Sequence, residues 1–293
     1  MINDYFKFFL ERLYLLLAPI REDCLTCSKR TSSLDRRYGI CHKCCAAIPW
    51  IVSPRCLICG RGIGCPDCSR TSNEKRYFIA NRSAVFYNGD MREWLAQYKY
   101  RGQERYAPLL IQMLDRAFEL MINECRALES EDSKAVRGRI KNTQLLANTP
   151  PWNIDIITSV PVSGQRLVER GFNQAEVLGR GLARKRNIPY LNLLTRERHS
   201  DKQSFKSRVA RMKDMNGIFE LGPIANEVFE KLMGDDRYRE GDVSGRDQPL
   251  RILMIDDIYT TGSTVNACSR VLCRLEPILQ RPIEVFCLTW ARS

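Results

Sequence analysis

Nine of the chain's 13 cysteines lie between Cys24 and Cys68, and most of them form C-x-x-C pairs. Two residues between two thiolates allow both sulfurs of one tight turn to reach a tetrahedral ion at about 2.3 Å, and two such turns complete its coordination shell. Eight ligands therefore predict two structural zinc ions. These ligands are Cys24, Cys27, Cys41, Cys44, Cys56, Cys59, Cys65 and Cys68.

The spacing leaves two ways of combining the pairs. Sequential pairing places the first two pairs in one site and the last two in the other, whereas a cross-braced arrangement combines Cys24 and Cys27 with Cys56 and Cys59. Sequential pairing is favoured because short intervals lose less entropy on closure. His42 and Cys45 lie beside Cys44 and could each replace a ligand, but they are interpreted as surface residues of the turn. Each zinc ion would supply folding free energy that so small a module lacks.

The length of 293 residues allows one large domain or two smaller ones, and the formal net charge of +12 points to polyanionic partners. These partners are either nucleic acid or phosphorylated small molecules. Lys7, Glu11 and Arg12 interrupt the apolar N-terminal stretch. An amphipathic helix over residues 1–20 is therefore predicted instead of a membrane span. Reduced cysteines then suit a cytoplasmic location.

The cysteine module is predicted over residues 21–72 and a larger domain over residues 73–293. Helical spacing of apolar residues predicts a helical region over residues 90–128, and the polar residues 129–144 are predicted to form a loop or disordered insertion. Beyond them strand and helix patterns alternate, which predicts an α/β fold with a parallel sheet flanked by helices. The predicted segments are "IDIITSVPV", "FNQAEVLGRGLARKRN", "PYLNLL", "RILMID", a helix from Thr264 to Leu275, and "IEVFCLT".

One strand-to-helix connection, "ILMIDDIYTTGST", carries the chemistry. If Leu253 to Ile255 lie in the sheet, Asp256 and Asp257 emerge at its carboxyl edge, beside the positive N-terminus of the next helix. Backbone N–H groups and hydroxyls there suit a phosphate, and Gly262 permits a positive φ and close approach. The hydroxyls belong to Thr260, Thr261, Ser263 and Thr264.

The two acids would repel a phosphate that they faced. They are interpreted as acceptors for vicinal sugar hydroxyls or as Mg²⁺ ligands, so one ligand combines sugar and phosphate, as ribose 5-phosphate does. Neither a P-loop nor a dinucleotide-binding glycine motif occurs in the sequence. The alternative is an ordinary strand exit followed by a capped helix.

"ILMIDDIYTTGST" resembles the phosphoribosyl pyrophosphate (PRPP) motif of type I phosphoribosyltransferases. The wider chain resembles the ComF family (ComFC/GntX-like), which joins a double zinc ribbon to a type I phosphoribosyltransferase-like domain. The similarity covers the four C-x-x-C pairs, "YKYRG" from Tyr98 to Gly102, and "VPV" with "RLVERGFNQAEVLGRGLA" between Val160 and Ala183.

The resemblance implies site residues and cofactors. Asp256 and Asp257 would be catalytic, and Mg²⁺ would accompany PRPP. A loop after the first predicted strand of the alternating region would bind the diphosphate. The PRPP-binding residues are then Ser163, Gly164, Arg166, Arg170, Tyr259, Thr260, Thr261, Gly262, Ser263 and Thr264.

The resemblance also implies a role in DNA uptake and natural transformation, with single-stranded DNA, a competence helicase or recombination proteins as partners. An active phosphoribosyltransferase in nucleotide salvage or modification is the alternative, and the sequence identifies no acceptor. A zinc-ribbon adaptor with an inactive sheet domain is a third hypothesis, which the intact acids argue against.

For several basic residues near the predicted site, the sequence allows either a role in ligand binding or a purely structural role. Residues 196–214 are either a mobile loop that closes over PRPP or a solvated charged connection, and His199 is interpreted as an exposed residue of that loop. Lys99 and Arg101 of "YKYRG" either contact phosphate or end a helix.

Overall fold

The computed structural model describes residues 22–63, 65, 68, 75–100, 104–137, 152–196, 217–223 and 248–293. The chain divides into two compact units, Met1–Ile48 and Pro49–Ser293. The predicted N-terminal helix over residues 1–20 lies outside the described residues, and the domain boundaries predicted at residues 20 and 72 stay predictions.

The smaller unit is built around short elements. Strands β1 (Glu22–Asp23) and β2 (Arg30–Thr31) pair antiparallel and flank a turn, and helix α1 (His42–Ala46) follows. Ser28 has φ 56° and its backbone N–H donates to the Cys24 carbonyl at 2.8 Å, which closes the turn. Within residues 22–48, the buried apolar side chains, such as Tyr38 and Ile40, form a small core.

The larger unit alternates strands with helices, as its sequence pattern predicts. Its elements are β3 (Ala80–Phe86), α2 (Gly89–Tyr100), a 3₁₀ turn (Glu104–Tyr106), α3 (Ala107–Arg137), β4 (Ile156–Ser159), α4 (Gly164–Arg170), α5 (Gln174–Arg186), β5 (Leu194–Arg196), β6 (Phe219–Leu221), β7 (Leu250–Tyr259), α6 (Ser263–Leu272), a second 3₁₀ turn (Cys273–Leu275), α7 (Glu276–Leu279) and β8 (Ile283–Arg292).

Over the described residues, the main sheet has four strands in the order β3-β8-β7-β4, and every neighbouring pair is parallel. This confirms the predicted α/β class with a parallel sheet flanked by helices. β5 and β6 form a separate antiparallel pair. β7 lies between β8 and β4, so it is an inner strand of the sheet. Open α/β folds bind their ligands at the carboxyl ends of such strands.

Both faces of β7 are covered, which explains its unbroken apolar run. Ile252 and Met254 belong to a core that includes Cys268 and Leu272 of α6. On the other face α5 approaches closely, because a Cβ placed on Gly179 would lie 3.5 Å from Ile255 Cγ1. The strand is therefore held rigidly up to the point where its acids begin.

Several predicted boundaries were wrong. β7 continues through both acids to Tyr259, because β8 runs beside it and pairs Tyr259 with Arg292. Helix α3 continues to Arg137, nine residues into the polar stretch predicted as a loop, where Glu, Ala and Lys favour helix. In "PYLNLL", only an isolated bridge at Tyr190 precedes β5.

The predicted helix from Thr264 begins at Ser263 and ends at Leu272, with a 3₁₀ turn to Leu275. Among the residues described, no helix combines the length and apolar character needed to cross a membrane.

Candidate functional site

The two acids of β7 have different surroundings. Asp256 and Asp257 are both partly buried, and the Asp257 backbone N–H donates to Asp256 Oδ1 at 2.8 Å. Burial, and after it the adjacent Asp257 charge, raise the pKa of Asp256 to about 7, although the Asp257 N–H, Lys99 and Arg166 act in the opposite direction. The two neighbouring carboxyl groups therefore differ in how strongly their surroundings favour the charged form.

The charge of Asp257 is neutralised by a lysine of helix α2. Lys99 Nζ forms an ion pair with Asp257 Oδ2, and the two side chains are 12% and 19% exposed. The preceding residue, Tyr98, is fully buried and its hydroxyl donates to the Gln174 carbonyl at 3.0 Å. Tyr98 thus anchors the "YKYRG" segment on α5 and places Lys99 at the acids. Arg101 lies outside the described residues.

The loop after β7 exposes the first two of its hydroxyl residues. Thr260 and Thr261 are exposed, and Thr261 Oγ1 lies 3.0 Å from Ser263 Oγ. Gly262 is the N-cap of α6 with φ 82°, in the left-handed region. Because glycine has no side chain, this N-cap offers no side-chain acceptor to the first-turn N–H groups of the helix. Thr264, in that first turn, is partly buried.

Tyr259 lies beneath this loop. Its side chain is 4% exposed, and its ring makes an edge contact with Phe78 at 6.4 Å between centroids. A Cβ on Gly262 would overlap the Tyr259 hydroxyl and lie 2.7 Å from its Cζ. The phenol therefore supports the loop from below, and its assignment as a PRPP contact stays a prediction.

The predicted diphosphate segment reaches the same sheet edge. The Val160 backbone N–H donates to the Ile255 carbonyl at 3.0 Å, beside the acids. Ser163 caps α4, where its Oγ accepts from the Arg166 N–H at 3.4 Å. Gly164 is the first residue of that helix.

The two arginines of this segment behave differently. Arg166 is exposed, and its charge acts on the pKa of Asp256. Arg170 Nη1 instead donates to Gln174 Oε1 at 2.8 Å. Apart from Arg196, the predicted mobile loop with His199 lies outside the described residues.

The eight predicted metal ligands form two groups of four thiols, within each of which the sulfurs all lie within 4.8 Å of one another. The groups follow the sequential pairing that loop entropy favours, and four thiols suit a closed structural zinc site. His42 and Cys45 belong to neither group. The groups are Cys24, Cys27, Cys41 and Cys44, and Cys56, Cys59, Cys65 and Cys68.

The second cysteine group is attached to the sheet by hydrogen bonds. The Asn81 N–H donates to the Ile58 carbonyl at 2.7 Å, and Asn81 Nδ2 donates to the Cys59 carbonyl at 3.2 Å. Arg82 Nη1 donates to the Leu57 carbonyl at 2.8 Å. These contacts join the group to β3, and no local sequence pattern predicted them.

Arg292 is a further residue that the sequence pattern missed. It lies at the end of β8, is 5% exposed, and donates from Nη1 to the Thr260 carbonyl at 2.8 Å. In the sequence it is only an arginine near the end of an apolar strand, so nothing local indicates its contact with the loop.

Comparison with known proteins identifies relatives across most of the chain. The competence protein ComFC of Bacillus subtilis is 25% identical over 265 residues, which cover 85% of this chain and 88% of that protein. The competence protein ComFC of Streptococcus pneumoniae is 28% identical over 258 residues, covering 88% and 85%. The chain is homologous to ComFC.

This homology confirms the resemblance to ComF proteins that the cysteine pairs and the β7 loop indicated. The DNA utilization protein YhgH of Escherichia coli K12 is 30% identical over 135 residues, 46% of this chain and 48% of that protein. No protein-family model matches the chain.

Proposed function

We propose that the chain is a PRPP-binding protein of the ComF type with a role in DNA uptake and natural transformation. The names of its relatives, competence protein ComFC and DNA utilization protein YhgH, support that role. The observation that carries the ligand proposal is the position of Asp256 and Asp257 near the end of β7, two residues before an exposed hydroxyl loop that leads into α6.

The phosphate of the ligand would lie on the loop after β7. The exposed hydroxyls of Thr260 and Thr261 can donate hydrogen bonds, and the N-cap Gly262 permits close approach of an oxyanion. Helix α6 spans ten residues, so its N-terminus contributes partial positive charge at the same place. Loop and helix together therefore offer donors and positive potential to one phosphate.

The ribose and diphosphate would lie along the acids. Asp256 and Asp257 supply carboxylate oxygens for ribose hydroxyls or for Mg²⁺, and Lys99 and Arg166 supply positive charge beside them. Bound Mg²⁺ would contribute charge stabilisation to the diphosphate oxygens. Lys99 keeps Asp257 compensated whenever no cation is bound there.

Calorimetry tests the ligand proposal. Titration with PRPP and Mg²⁺ should give binding heat with the wild type and none with the double variant Asp256→Ala/Asp257→Ala. Asp155→Asn is the control, because Asp155 Oδ2 accepts from the Arg251 N–H at 2.8 Å near the opposite end of β7. Equal heats from wild type and double variant would exclude ligand binding at this loop.

DNA contact is the second part of the proposal. The formal net charge of +12 suits a single-stranded polyanion, and a helicase or recombination protein would be the partner that handles the same strand. Fluorescence anisotropy with a labelled single strand should show binding that weakens steeply as salt rises. Absent binding, or binding that salt leaves unchanged, would contradict DNA contact.

The biological role has its own test in a naturally competent host. Deletion of the gene should lower transformation frequency, and the wild-type gene should restore it. The Asp256→Ala/Asp257→Ala gene should fail to restore it if ligand binding is required for the role.

A working phosphoribosyltransferase is the second candidate, favoured by the intact pair of acids and the cations beside them. Attack of an acceptor on the ribose C1 carbon would release pyrophosphate, and negative charge would develop on this leaving group. Lys99 and Arg166, the cations beside the two acids, would stabilise that charge. Pyrophosphate release on addition of a nucleobase panel would establish turnover. Binding of PRPP without release by any base would favour a sensor over an enzyme.

A further inference from the structure

The side chain of Arg292 connects the loop after β7 with the second cysteine group. On the loop side, Arg292 Nη1 donates to the Tyr259 carbonyl at 3.2 Å and to the Thr260 carbonyl at 2.8 Å. It also donates to the carbonyl of Ser293. Two of these three acceptors are the backbone carbonyls from which the loop departs.

On its other side the same guanidinium reaches a metal-ligating sulfur. Arg292 Nη2 donates a long hydrogen bond of 3.9 Å to Cys59 Sγ, and Cys59 is a buried member of the second group. Hydrogen bonds of this kind orient metal ligands, and an ion bound by the group would fix the position of the accepting sulfur. Metal binding at Cys59 therefore affects how firmly the Arg292 side chain is held.

Arg292 also fixes the ring on which the loop rests. Its guanidinium lies 4.6 Å from the centroid of the Tyr259 ring, and the Tyr259 phenol contacts the backbone position of Gly262 from below. Arg292 thus holds the loop by two routes, through the carbonyls of Tyr259 and Thr260 and through the Tyr259 ring.

The backbone of Arg292 is held independently of its side chain. The Tyr87 N–H donates to the Arg292 carbonyl at 2.9 Å, and the Ser293 N–H donates to the Tyr259 carbonyl at 3.1 Å. Replacing the side chain should therefore leave β8 in its place in the sheet. What a substitution removes is the connection between Cys59 and the loop.

We infer that Arg292 is a positioning residue that couples metal occupancy of the second cysteine group to the conformation of residues 260–263. Metal at this group and a phosphate ligand at the loop then bind cooperatively. Linkage requires the effect to be reciprocal, so each raises the affinity of the protein for the other by the same factor. The ligand half of this inference rests on the proposed function, whereas the metal half does not.

Hydrogen exchange tests the metal half without any ligand. In the wild type, removal of metal from the second group should speed amide exchange in a peptide that spans residues 256–268. In Arg292→Met that peptide should exchange rapidly with metal present, and removal of metal should change it little. Alkylation of released cysteines followed by peptide mapping identifies the group that lost its ion.

A matched control separates coupling from general loss of packing. Arg82 is also a buried arginine beside the second group, and it bonds the Leu57 carbonyl, the Asn81 carbonyl and the Glu124 carboxylate. Arg82→Lys should lower stability while the loop peptide still responds to metal. Thermal unfolding of both variants shows whether each is folded.

Zinc release tests the ligand half. Ribose 5-phosphate with Mg²⁺ should slow release of zinc from the second group of the wild type to a chelator by roughly tenfold, within the usual range of coupling between sites. Arg292→Met should show no such slowing, and Arg82→Lys should retain it. Zinc in the first group serves as an internal control whose release the ligand leaves unchanged.

The outcomes distinguish the two claims. A loop that responds to metal through Arg292, in a protein that binds no ribose 5-phosphate, would refute the proposed ligand and keep the coupling. Ligand binding with no effect of metal on loop exchange, or with the same effect in Arg292→Met as in the wild type, would overturn the coupling and leave the proposed function standing.

Discussion

The side chains of Lys99 and Asp257 form an ion pair at the carboxyl end of the central strand β7, although they lie far apart in the chain. Both are largely buried, with exposed fractions of 12% and 19%. The pair neutralises one of the two adjacent acids, while burial and the neighbouring charge keep the pKa of the other near 7. The site therefore holds two carboxyl groups without two uncompensated charges.

Removing the lysine should leave the Asp257 charge without its partner. Lys99→Met should lower the free energy of unfolding by roughly 1–3 kcal/mol, below the value for a fully buried pair because water reaches both groups. The double variant Lys99→Met/Asp257→Asn should recover most of that loss. Urea unfolding measures both, and equal losses in the single and double variants would show that an unpaired Asp257 charge is not the cause of the loss.

The raised pKa of Asp256 predicts how stability depends on pH. The pKa is about 7 in the folded protein and about 3.9 for an unperturbed aspartate. Between these values the folded state retains a proton that the unfolded chain has lost, so the free energy of unfolding falls as pH rises from about 4 to about 7.

Asp256→Asn should remove this pH dependence, so comparison with the wild type gives the contribution of Asp256 to the free energy of unfolding. The free energy of unfolding of the variant should exceed that of the wild type by about 1–3 kcal/mol at pH 8 and should differ little at pH 4. This range is smaller than the full pKa shift would give, because solvent screens the partly exposed carboxylate. Urea titrations in Mg²⁺-free buffer across this range provide the measurement. A stability difference that stays constant from pH 4 to pH 8 would mean that Asp256 titrates normally.

Gly262→Ala should damage the loop more than its backbone strain accounts for. Gly262 and Gly171 have nearly equal angles, φ 82° and φ 80°, but only at Gly262 would a Cβ meet the Tyr259 ring. Gly171→Ala should cost about 1–2 kcal/mol from left-handed strain alone. Gly262→Ala should cost more and should also weaken PRPP binding, as measured by thermal unfolding and calorimetry. Equal costs and unchanged affinity would contradict the contact with Tyr259.

Metal analysis should find two zinc ions per chain, one in each group of four thiols. Cys65→Ser should lower the count to one, because a tetrahedral thiolate site rarely survives loss of a ligand. Cys45→Ser is the matched control, since Cys45 adjoins Cys44 but belongs to neither group, and it should keep both ions. Elemental analysis of purified protein gives the count, and loss of an ion from Cys45→Ser would revise the ligand set.

Features that depend on short stretches of chain could be predicted from the sequence. Two residues between cysteines define a turn, so the C-x-x-C spacing predicted which sulfurs meet, with short intervals favouring the sequential groups that the structure shows. Alternating apolar patterns predicted the parallel sheet and α5. The run before Asp256 likewise predicted a buried strand that leads into a helix.

Contacts between segments that lie far apart in the chain could not be predicted in this way. β7 continues to Tyr259 because β8 pairs with it, and Lys99 reaches Asp257 because Tyr98 anchors α2 on α5. Arg292 contacts both Cys59 and Thr260 because the packing of the sheet brings the end of β8 beside these two residues. A local pattern reflects burial and turn geometry along a few residues, whereas the partner of a buried charge is set by how whole elements pack.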